Sequence, residues 1–339
     1  MGNNDNSRTR TARKKPEWYY GTARFAKPSL WRAIFQLLNT FIPYFLLLGL
    51  VIYLVETDFP YLLTLPLLIL EALLLVRIFI FFHDCCHNSF FAKHWANMLL
   101  GYFCGFLTCT PYRDWQWKHS RHHATVVDLD NRGYGCVWTM TVEEYRSASL
   151  WKRVQYRLYR NPLVMFGPGP ILFFLLFNRF PAKGIGWPQR YSVWVTDIAV
   201  ALMFAIAVWG LGFWDTCRIA IPIMFVSSAI GVWLFYIQHQ FEGVRWFRHD
   251  QWDVMKASLE GCSYYKLPNV LHWITGNIGL HHIHHVRTAI PNYNLKQCFN
   301  ETPELREINV LTIRRSLRSL WLNLWNEEQG KLVSFGSIK

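Results

Sequence analysis

Long apolar runs dominate the pattern of hydrophobic and polar positions along the chain. Four of them are long enough to cross a bilayer, which takes about 20 apolar residues in a helix. They cover residues 34–55, 61–82, 191–212 and 219–238. Only a few residues separate the first run from the second, and the third from the fourth. The pattern therefore predicts four transmembrane helices arranged as two hairpins.

Two further apolar stretches are less clear. Residues 95–112 are just long enough to span, and residues 163–177 are interrupted by the sequence Gly-Pro-Gly-Pro. If the first stretch crossed alone, His83 and His119 would lie on opposite faces of the membrane. If both crossed, a segment rich in Lys and Arg would lie outside. We therefore expect both stretches to be re-entrant or interfacial.

The C-terminal segment over residues 302–330 has a different pattern. Its Leu, Ile and Trp residues recur near helical spacing, with arginines between them. Thr302 is a suitable N-cap, and Pro303 follows at the first helical position. The pattern predicts an amphipathic helix that lies on the membrane surface or packs over the rest of the protein.

Three charged residues fall in or near the predicted spans, namely Glu71, Arg77 and Asp197. Arg77 is close to the end of its span, so we expect its side chain to snorkel toward the membrane interface. For Glu71 and Asp197 we expect hydrogen bonds between helices, because an ionisable group at membrane depth needs a partner.

Positive charge lies on one side of the predicted spans. Of 35 Lys and Arg residues, 8 precede the first span, 13 lie between the second and third, and 12 follow the fourth. This is the positive-inside distribution of a protein with both termini in the cytoplasm. A composition of 52% hydrophobic and 17% charged residues also favours a membrane protein. The net charge of +13 does not indicate nucleic-acid binding, because that function needs the charge on one compact face.

Histidines occur in three dense motifs, H-D-C-C-H, H-S-R-H-H and H-H-I-H-H. Positions three and four apart share a helix face, so each motif can direct two or three imidazoles to one point. A further histidine at the end of the fourth span can reach the same point. The candidate ligands are His83, His87, His119, His122, His123, His239, His281, His284 and His285.

Nine imidazoles exceed the coordination of one metal, so two metal ions are implied. Imidazole suits zinc, copper, iron and nickel. Structural zinc prefers four ligands with cysteine among them, and hydrolytic zinc uses three. Bis-histidine haem would need ligands at membrane depth, whereas these motifs lie at or beyond the span ends. Two irons that react with dioxygen fit best. Attack on an unactivated hydrocarbon also explains the membrane, since the substrate is then a lipid chain.

The three motifs resemble the histidine boxes of the membrane fatty acid desaturases, H-x-x-x-H, H-x-x-H-H and H-x-x-H-H. More narrowly, the chain is similar to bacterial and plant-type acyl-lipid omega-6 (delta-12) desaturases. The similar segments include "FAKPSLWRAIFQLLNTFIPYF" (25–45), "FYIQHQFE" (235–242) and "TGNIGLHHIHHVRTAIPNYNL" (275–295). Cys86 stands where the family usually has glycine. Phe235 stands where the acyl-CoA type has an asparagine that holds a metal-bound water, so that role is not carried over.

The resemblance implies an all-α integral membrane protein with a di-iron site under a helical cap on the cytoplasmic side. The expected organisation is a basic flexible tail over residues 1–30 and a single domain over residues 31–339. The cap consists of residues 83–190 and 239–339. The expected location is a bacterial plasma membrane. No His-Pro-Gly-Gly haem signature occurs, so the two electrons are expected from a separate ferredoxin or cytochrome, docked on basic residues.

The remaining histidines are expected to be bystanders. His282 occupies a variable position of the third box and is expected to lie beside the ligands or at the surface. His94, His249 and His272 are isolated in the sequence. Asp84 is the nearest carboxylate, and we expect it to orient a ligand imidazole through the second ring nitrogen.

The expected reaction is the introduction of a cis double bond into a lipid-linked acyl chain, converting oleoyl to linoleoyl chains. A hydroxylase, ketolase or acetylenase built on the same iron site remains the nearest alternative, because the box spacing is shared. A histidine-lined metal transporter or a haem-carrying membrane protein is a more distant one, since it would need ligands at the bilayer midplane.

Overall fold

The computed structural model describes residues 14–133, 135–182 and 184–338, which are mostly helical. The helices are α1 (Glu17–Gly21), α2 (Leu30–Glu56), α3 (Tyr61–Cys86), α4 (His94–Leu107), α5 (Tyr112–Thr125), α6 (Val142–Ser147), α7 (Leu150–Tyr159), α8 (Pro162–Phe166), α9 (Pro168–Leu175), α10 (Trp187–Leu211), α11 (Phe213–His239), α12 (Val254–Glu260), α13 (Asn269–Ile274), α14 (His281–Val286), α15 (Asn292–Glu301) and α16 (Ile313–Ser316). The strands are β1 (Met140–Thr141), β2 (Tyr264–Lys266), β3 (Val310–Thr312), β4 (Leu324–Asn326) and β5 (Lys331–Val333). Short 3₁₀ helices cover Thr22–Ala26, Phe177–Arg179, Pro303–Arg306, Leu317–Trp321 and Phe335–Ser337.

Helices α2, α3, α10 and α11 are long and apolar enough to cross a membrane, which confirms the predicted four-span fold. Helix α3 is the most buried of the four, and it packs against α2, α4 and α11. It continues about one turn beyond the predicted span, to Cys86, and every residue from Ile80 to Cys86 is buried. The end of α3 therefore carries its histidines into the protein interior.

The turn between α10 and α11 is tighter than predicted. Residues 213–218, predicted to be a connection, form the first turns of α11. Gly212 alone separates the two helices, with a φ of 79° that glycine adopts without steric cost. Asp215 then pairs with Arg218 one turn later, at 2.9 Å. The polar residues that suggested a loop are accommodated as an ion pair on the helix surface.

Arg77 does not snorkel, so that prediction is wrong. The residue is 1% exposed, and its guanidinium lies 4.2 Å from the centre of the Trp273 ring. The guanidinium donates to the hydroxyl of Thr40 at 2.8 Å and to the carbonyl oxygen of Trp273. Burial is tolerated because the group is stacked and hydrogen-bonded. The contact links α2 and α3 to the segment that precedes the third histidine motif.

The two acids predicted to bond between helices differ from each other. Both carboxylate oxygens of Glu71 are buried and lack a hydrogen-bond partner among the described residues, so the expected bond between helices is not formed. Asp197 accepts a hydrogen bond from Arg179 at 2.8 Å. That arginine belongs to a 3₁₀ turn rather than to a neighbouring span. Asp197 therefore anchors the turn between α9 and α10.

The two shorter apolar stretches do not form helices long enough to span. Helix α4 has 14 residues, which gives a length of about 21 Å against a hydrocarbon core of about 30 Å. The second stretch is divided into α8 and α9 at Gly167. Both agree with the expectation of non-spanning segments.

The prediction of one amphipathic helix over residues 302–330 is wrong. The segment folds into short 3₁₀ turns, α16 and two strands, β3 and β4. Strand β3 pairs in parallel with β2, and β4 pairs with β1 and β5. These pairings bury Leu311, Leu324 and Trp325. The residues that suggested one helix face thus fill two small sheets, because tertiary pairing overrides helical periodicity.

The prediction of a flexible tail over residues 1–30 is wrong for residues 14–30, which are folded. Residues 1–13 lie outside the described part of the chain. Helix α1 and the following 3₁₀ turn pack against the cap, where Thr22 and Phe25 are buried. Arg287 holds them in place by donating to the hydroxyl of Thr22 and the carbonyl of Tyr19, each at 2.9 Å. Their buried contacts supply the stabilisation that a free tail would lack.

Candidate metal centre

Four helices position the nine histidines. His83 lies in the last turn of α3, which ends at Cys86 and is followed directly by His87, and α11 ends at His239. Helix α5 carries the second motif and α14 the third. All four helices present their histidines inside the protein, where seven of the nine are buried and His87 and His123 are partly exposed.

The structure brings all nine predicted ligands together in two clusters. Within each cluster, one nitrogen from every histidine lies within 4.8 Å of the others. The first histidine cluster consists of His83, His87, His119, His123 and His284. The second histidine cluster consists of His122, His239, His281 and His285.

The clusters interleave the motifs according to helical geometry. In α5, His119 and His123 are four residues apart and both belong to the first cluster, whereas His122 belongs to the second. In α14, His281 and His285 stay together in the second cluster, and the middle histidine joins the first. Positions i and i+4 lie almost above one another on a helix, while position i+3 is displaced to one side. Each H-x-x-H-H motif therefore bridges both clusters.

In the first cluster, Nε2 atoms face one another at close range. The distances are 3.0 Å from His83 to His119, 3.0 Å from His119 to His123, and 3.0 Å from His123 to His284. In the second cluster they are 3.1 Å from His122 to His239, 3.1 Å from His239 to His281, and 3.0 Å from His281 to His285. Two nitrogens each about 2.1 Å from one ion stand about 3 Å apart when they meet at a right angle.

Hydrogen bonding alone does not satisfy these nitrogens. A neutral imidazole carries a single N–H. Nδ1 of His239 lies 3.0 Å from the carbonyl oxygen of Gly261, so the proton belongs there and Nε2 presents a lone pair to two other imidazoles. Nε2 of His87 is buried and has no hydrogen-bond partner within residues 14–133, 135–182 and 184–338. A cation surrounded by nitrogen lone pairs satisfies all of them, so the residues present fit a metal in each cluster.

Burial also sets the protonation state of the clustered histidines. It lowers the pKa of seven of these imidazoles well below the usual value, and the neighbouring imidazoles lower it further. This holds for His87, His119, His122, His123, His281, His284 and His285. Neutral imidazole is the form that binds a metal.

Residues around the clusters orient the imidazoles. Asp84, expected from the sequence, lies 3.3 Å from Nδ1 of His83 through Oδ1. Its other oxygen accepts from the backbone and side-chain amides of Asn292, at 2.7 and 2.9 Å. The carboxylate is thus fixed between α3 and α15. Such contacts hold the ring and tautomer of a metal ligand.

Other neighbours of the ligands were not predicted. Cys136 Sγ lies 3.6 Å from Nδ1 of His122, and Cys262 Sγ lies 3.8 Å from Nδ1 of His239. Neither cysteine is part of a spaced motif, so the sequence carried no signal for these contacts. The second cluster is therefore supported by thiols and a carbonyl, and the first by a carboxylate.

The histidines expected to be bystanders lie outside both clusters. His282 is buried rather than exposed, and its Nε2 lies 3.0 Å from the carbonyl oxygen of Leu305. His94 is bonded to Asn88 at 2.6 Å. The other two are His249, which contacts Asp128, and His272, which accepts from the amide of Leu267.

An apolar cavity of about 710 Å³ lies between α3 and α11 and reaches both histidine clusters. Its lining includes Phe79, Ile80, Phe174 and Leu234, together with His83 and His281. It is the kind of space that holds a hydrocarbon chain, because its lining is mainly aromatic and aliphatic.

Several known proteins are similar in sequence to this chain. A family model described as "Fatty acid desaturase" matches residues 59–316. A "Fatty acid desaturase" of Bacillus subtilis is 44% identical over 97% of this chain and 93% of that protein. A Picosynechococcus "sn-1 oleoyl-lipid 12-desaturase" is 27% identical over 71% of this chain and 69% of its own length. A Nostoc "sn-1 acyl-lipid omega-3 desaturase (ferredoxin)" is 24% identical over 74% and 69%. The chain belongs to the fatty acid desaturase family.

Proposed function

We propose that this oxidoreductase uses two irons and dioxygen to insert a cis double bond at the delta-12 position of oleoyl chains in membrane lipids. The observation that carries the proposal is the position of the two histidine clusters beside an apolar cavity between two spans. The proposed ligands are His83, His87, His119, His122, His123, His239, His281, His284 and His285.

Iron is favoured over zinc by the donor set. The clusters supply five and four nitrogens, whereas structural zinc prefers four ligands with thiolates among them. The two nearby cysteines contact the outer ring nitrogens, on the side away from the cluster centres. Iron would supply the dioxygen chemistry. Reduction of dioxygen to two waters takes four electrons and four protons. Two electrons come from the donor and two protons from solvent, and the two C–H bonds that break supply the other two electrons and two protons and leave an alkene.

The protein's own residues bind the metals, orient a ligand ring and shield the reacting carbons from water. The histidines hold the metals, and Asp84 fixes the ring of His83. The cavity holds the acyl chain so that one pair of adjacent methylenes faces the clusters. Because its wall is apolar, water is kept from the reacting carbons.

The substrate and donor are proposed from relatives. Several similar proteins are named oleoyl-lipid 12-desaturases, including those of Picosynechococcus and Synechocystis. One relative's name specifies ferredoxin. We propose that a ferredoxin or cytochrome supplies the electrons here, that both termini are cytoplasmic, and that the protein resides in a bacterial plasma membrane. The distribution of Lys and Arg around the spans supports this orientation.

The product tests the reaction. A bacterial or yeast host that expresses the chain and receives oleate is expected to accumulate linoleate in its glycerolipids. Mass spectrometry of derivatised methyl esters locates the bond. The His119→Ala variant is the inactive control, and His94→Ala the active one. A new bond at the ninth carbon of a saturated chain would refute the delta-12 assignment alone, and a hydroxylated or keto product without a diene would refute desaturation.

Metal analysis tests the cofactor independently. Protein purified from iron-replete cells is expected to contain close to two irons per chain and little zinc. One zinc per chain under these conditions would refute the di-iron site.

A further inference from the structure

A second cavity, of about 720 Å³, adjoins the apolar one. One wall contains Arg132 and the segment leading into β1, and the other contains residues of α6 and the start of α7. Cys136 and Val137 line both cavities. The two spaces are therefore neighbours across these residues, next to the second histidine cluster, since Cys136 contacts His122.

The two cavities differ in chemistry. The first is lined mainly by aromatic and aliphatic side chains. The second, here called the polar cleft, includes Arg132, Glu144, Ser147 and Lys152. A polar space that adjoins an apolar one matches a ligand with a polar head and a hydrocarbon tail.

The charges in the polar cleft favour an anionic head. Arg132 is already engaged, since it donates to Glu144 at 2.8 Å and to the carbonyl oxygen of Leu129 at 2.6 Å. The ammonium of Lys152 has no hydrogen-bond or ion-pair partner among the described residues. The cleft therefore holds one free positive charge that an anion can neutralise.

Helix α7 places the polar cleft at the membrane surface. Leu150, Trp151, Val154 and Leu158 are 73%, 69%, 45% and 58% exposed. These positions share one side of the helix, the pattern of a helix that lies on a bilayer. At about 100° per residue, Lys152 points away from that side and toward the cleft. The head groups of membrane lipids occupy this level.

We propose that the polar cleft binds the phosphate-containing head group of the substrate lipid, with Lys152 pairing with the phosphate. The acyl chain passes Cys136 and Val137 and enters the apolar cavity. The inference rests on the proposed desaturation of lipid-linked chains and adds a preference for anionic phosphoglycerides over neutral glycerides.

A membrane phosphoglyceride fits better than a soluble acyl thioester. Thioester carriers also contain phosphates, but they approach from water. The exposed apolar side of α7 places the cleft beside the bilayer, where a lipid reaches it without leaving the membrane. The exposed residues Leu150 and Trp151, at the cleft end of α7, mark that side.

The test compares lipids that share the oleoyl chain and differ in the head. Iron-loaded protein in liposomes receives reduced ferredoxin and dioleoyl phosphatidylglycerol, dioleoylglycerol or oleoyl-CoA. The Lys152→Glu variant is expected to lose about tenfold in kcat/KM on phosphatidylglycerol and to retain its rate on dioleoylglycerol. Lys256→Glu, an equal charge change at an exposed position of α12, is the matched control, and Lys152→Arg is expected to retain the preference.

Lipid binding gives a second readout that does not depend on turnover. Native mass spectrometry is expected to show less bound phosphatidylglycerol on Lys152→Glu than on Lys256→Glu. Equal losses on both glycerolipids, unchanged lipid binding, or a Lys152 dependence confined to oleoyl-CoA would each overturn the inference. If no oleoyl substrate is desaturated by the unaltered protein, the proposed function fails, while the binding comparison still decides whether the head-group site exists.

Discussion

Gly231 offers a direct way to change the space available to the substrate. It lies on the side of α11 that lines the apolar cavity, together with Ser227, Ser228 and Leu234. A β-carbon added at Gly231 would meet no atom within 4 Å. The Gly231→Leu variant is therefore expected to fold normally and to project four carbons into the cavity.

The free-energy cost of Gly231→Leu for binding the acyl chain comes from packing rather than from the hydrophobic effect. The acyl chain enters from a bilayer, so moving it into the cavity removes no apolar surface from water. The cost is overpacking, about 1–3 kcal/mol for extra carbons in a filled space. This corresponds to a loss of about 5- to 150-fold in kcat/KM on oleoyl lipids. A palmitoleoyl chain, two carbons shorter beyond its double bond, should be affected about tenfold less.

The assay measures diene formation from oleoyl and palmitoleoyl lipids in the same liposomes. Gly49→Leu is the matched control, because Gly49 also has open space around its β-position and does not line the cavity. Equal activity of the two variants on oleoyl lipids would show that α11 does not form the chain-binding wall. An equal loss on both chain lengths would show that the leucine disturbs the fold rather than the fit.

Three further changes probe the metal centre and its support. His239→Ala is expected to lose about one metal ion per chain by elemental analysis while the protein stays in the membrane; retention of both metals would exclude His239 as a ligand. Asp84→Asn should weaken metal binding about 10- to 100-fold in chelator competition, and unchanged affinity would mean that the carboxylate does not orient His83. Arg77→Met should lower the thermal unfolding temperature and leave the carbonyl of Trp273 unpaired; an unchanged unfolding temperature would refute its structural role.

The sequence predicted what depends on local periodicity. The four spans were predicted from the lengths of the apolar runs. The convergence of the histidine motifs was predicted from their i, i+3, i+4 spacing. The assignment of histidines to two clusters was not predicted, because it depends on how α5 and α14 face each other. Once their packing is known, helical geometry explains why His122 and His284 each join the cluster opposite to their nearest motif partners.

Long-range contacts account for the errors. Even for Asp84, which was predicted correctly, the partner Asn292 lies 208 residues later in the chain and was not predicted. Arg77 donates to the carbonyl oxygen of Trp273. The residue predicted to be a snorkelling cation is therefore a buried structural contact. The C-terminal segment read as one helix because its apolar residues recur at helical spacing, yet its strands find partners at Tyr264–Lys266 and Met140–Thr141. No local pattern identifies such partners.

Two of the helices that line the cavity, α3 and α11, also carry histidines of the clusters. Helix α3 contributes Phe79 and Ile80 to the cavity wall and His83 to the first cluster, while α11 contributes Leu234 to the wall and His239 to the second. The distance along each helix between wall and ligand is fixed by its backbone hydrogen bonds. A chain seated against these walls is thereby held in register with both clusters. Under the proposed function, rigid helices rather than loops set the position of the new double bond, as control at the level of a single carbon requires.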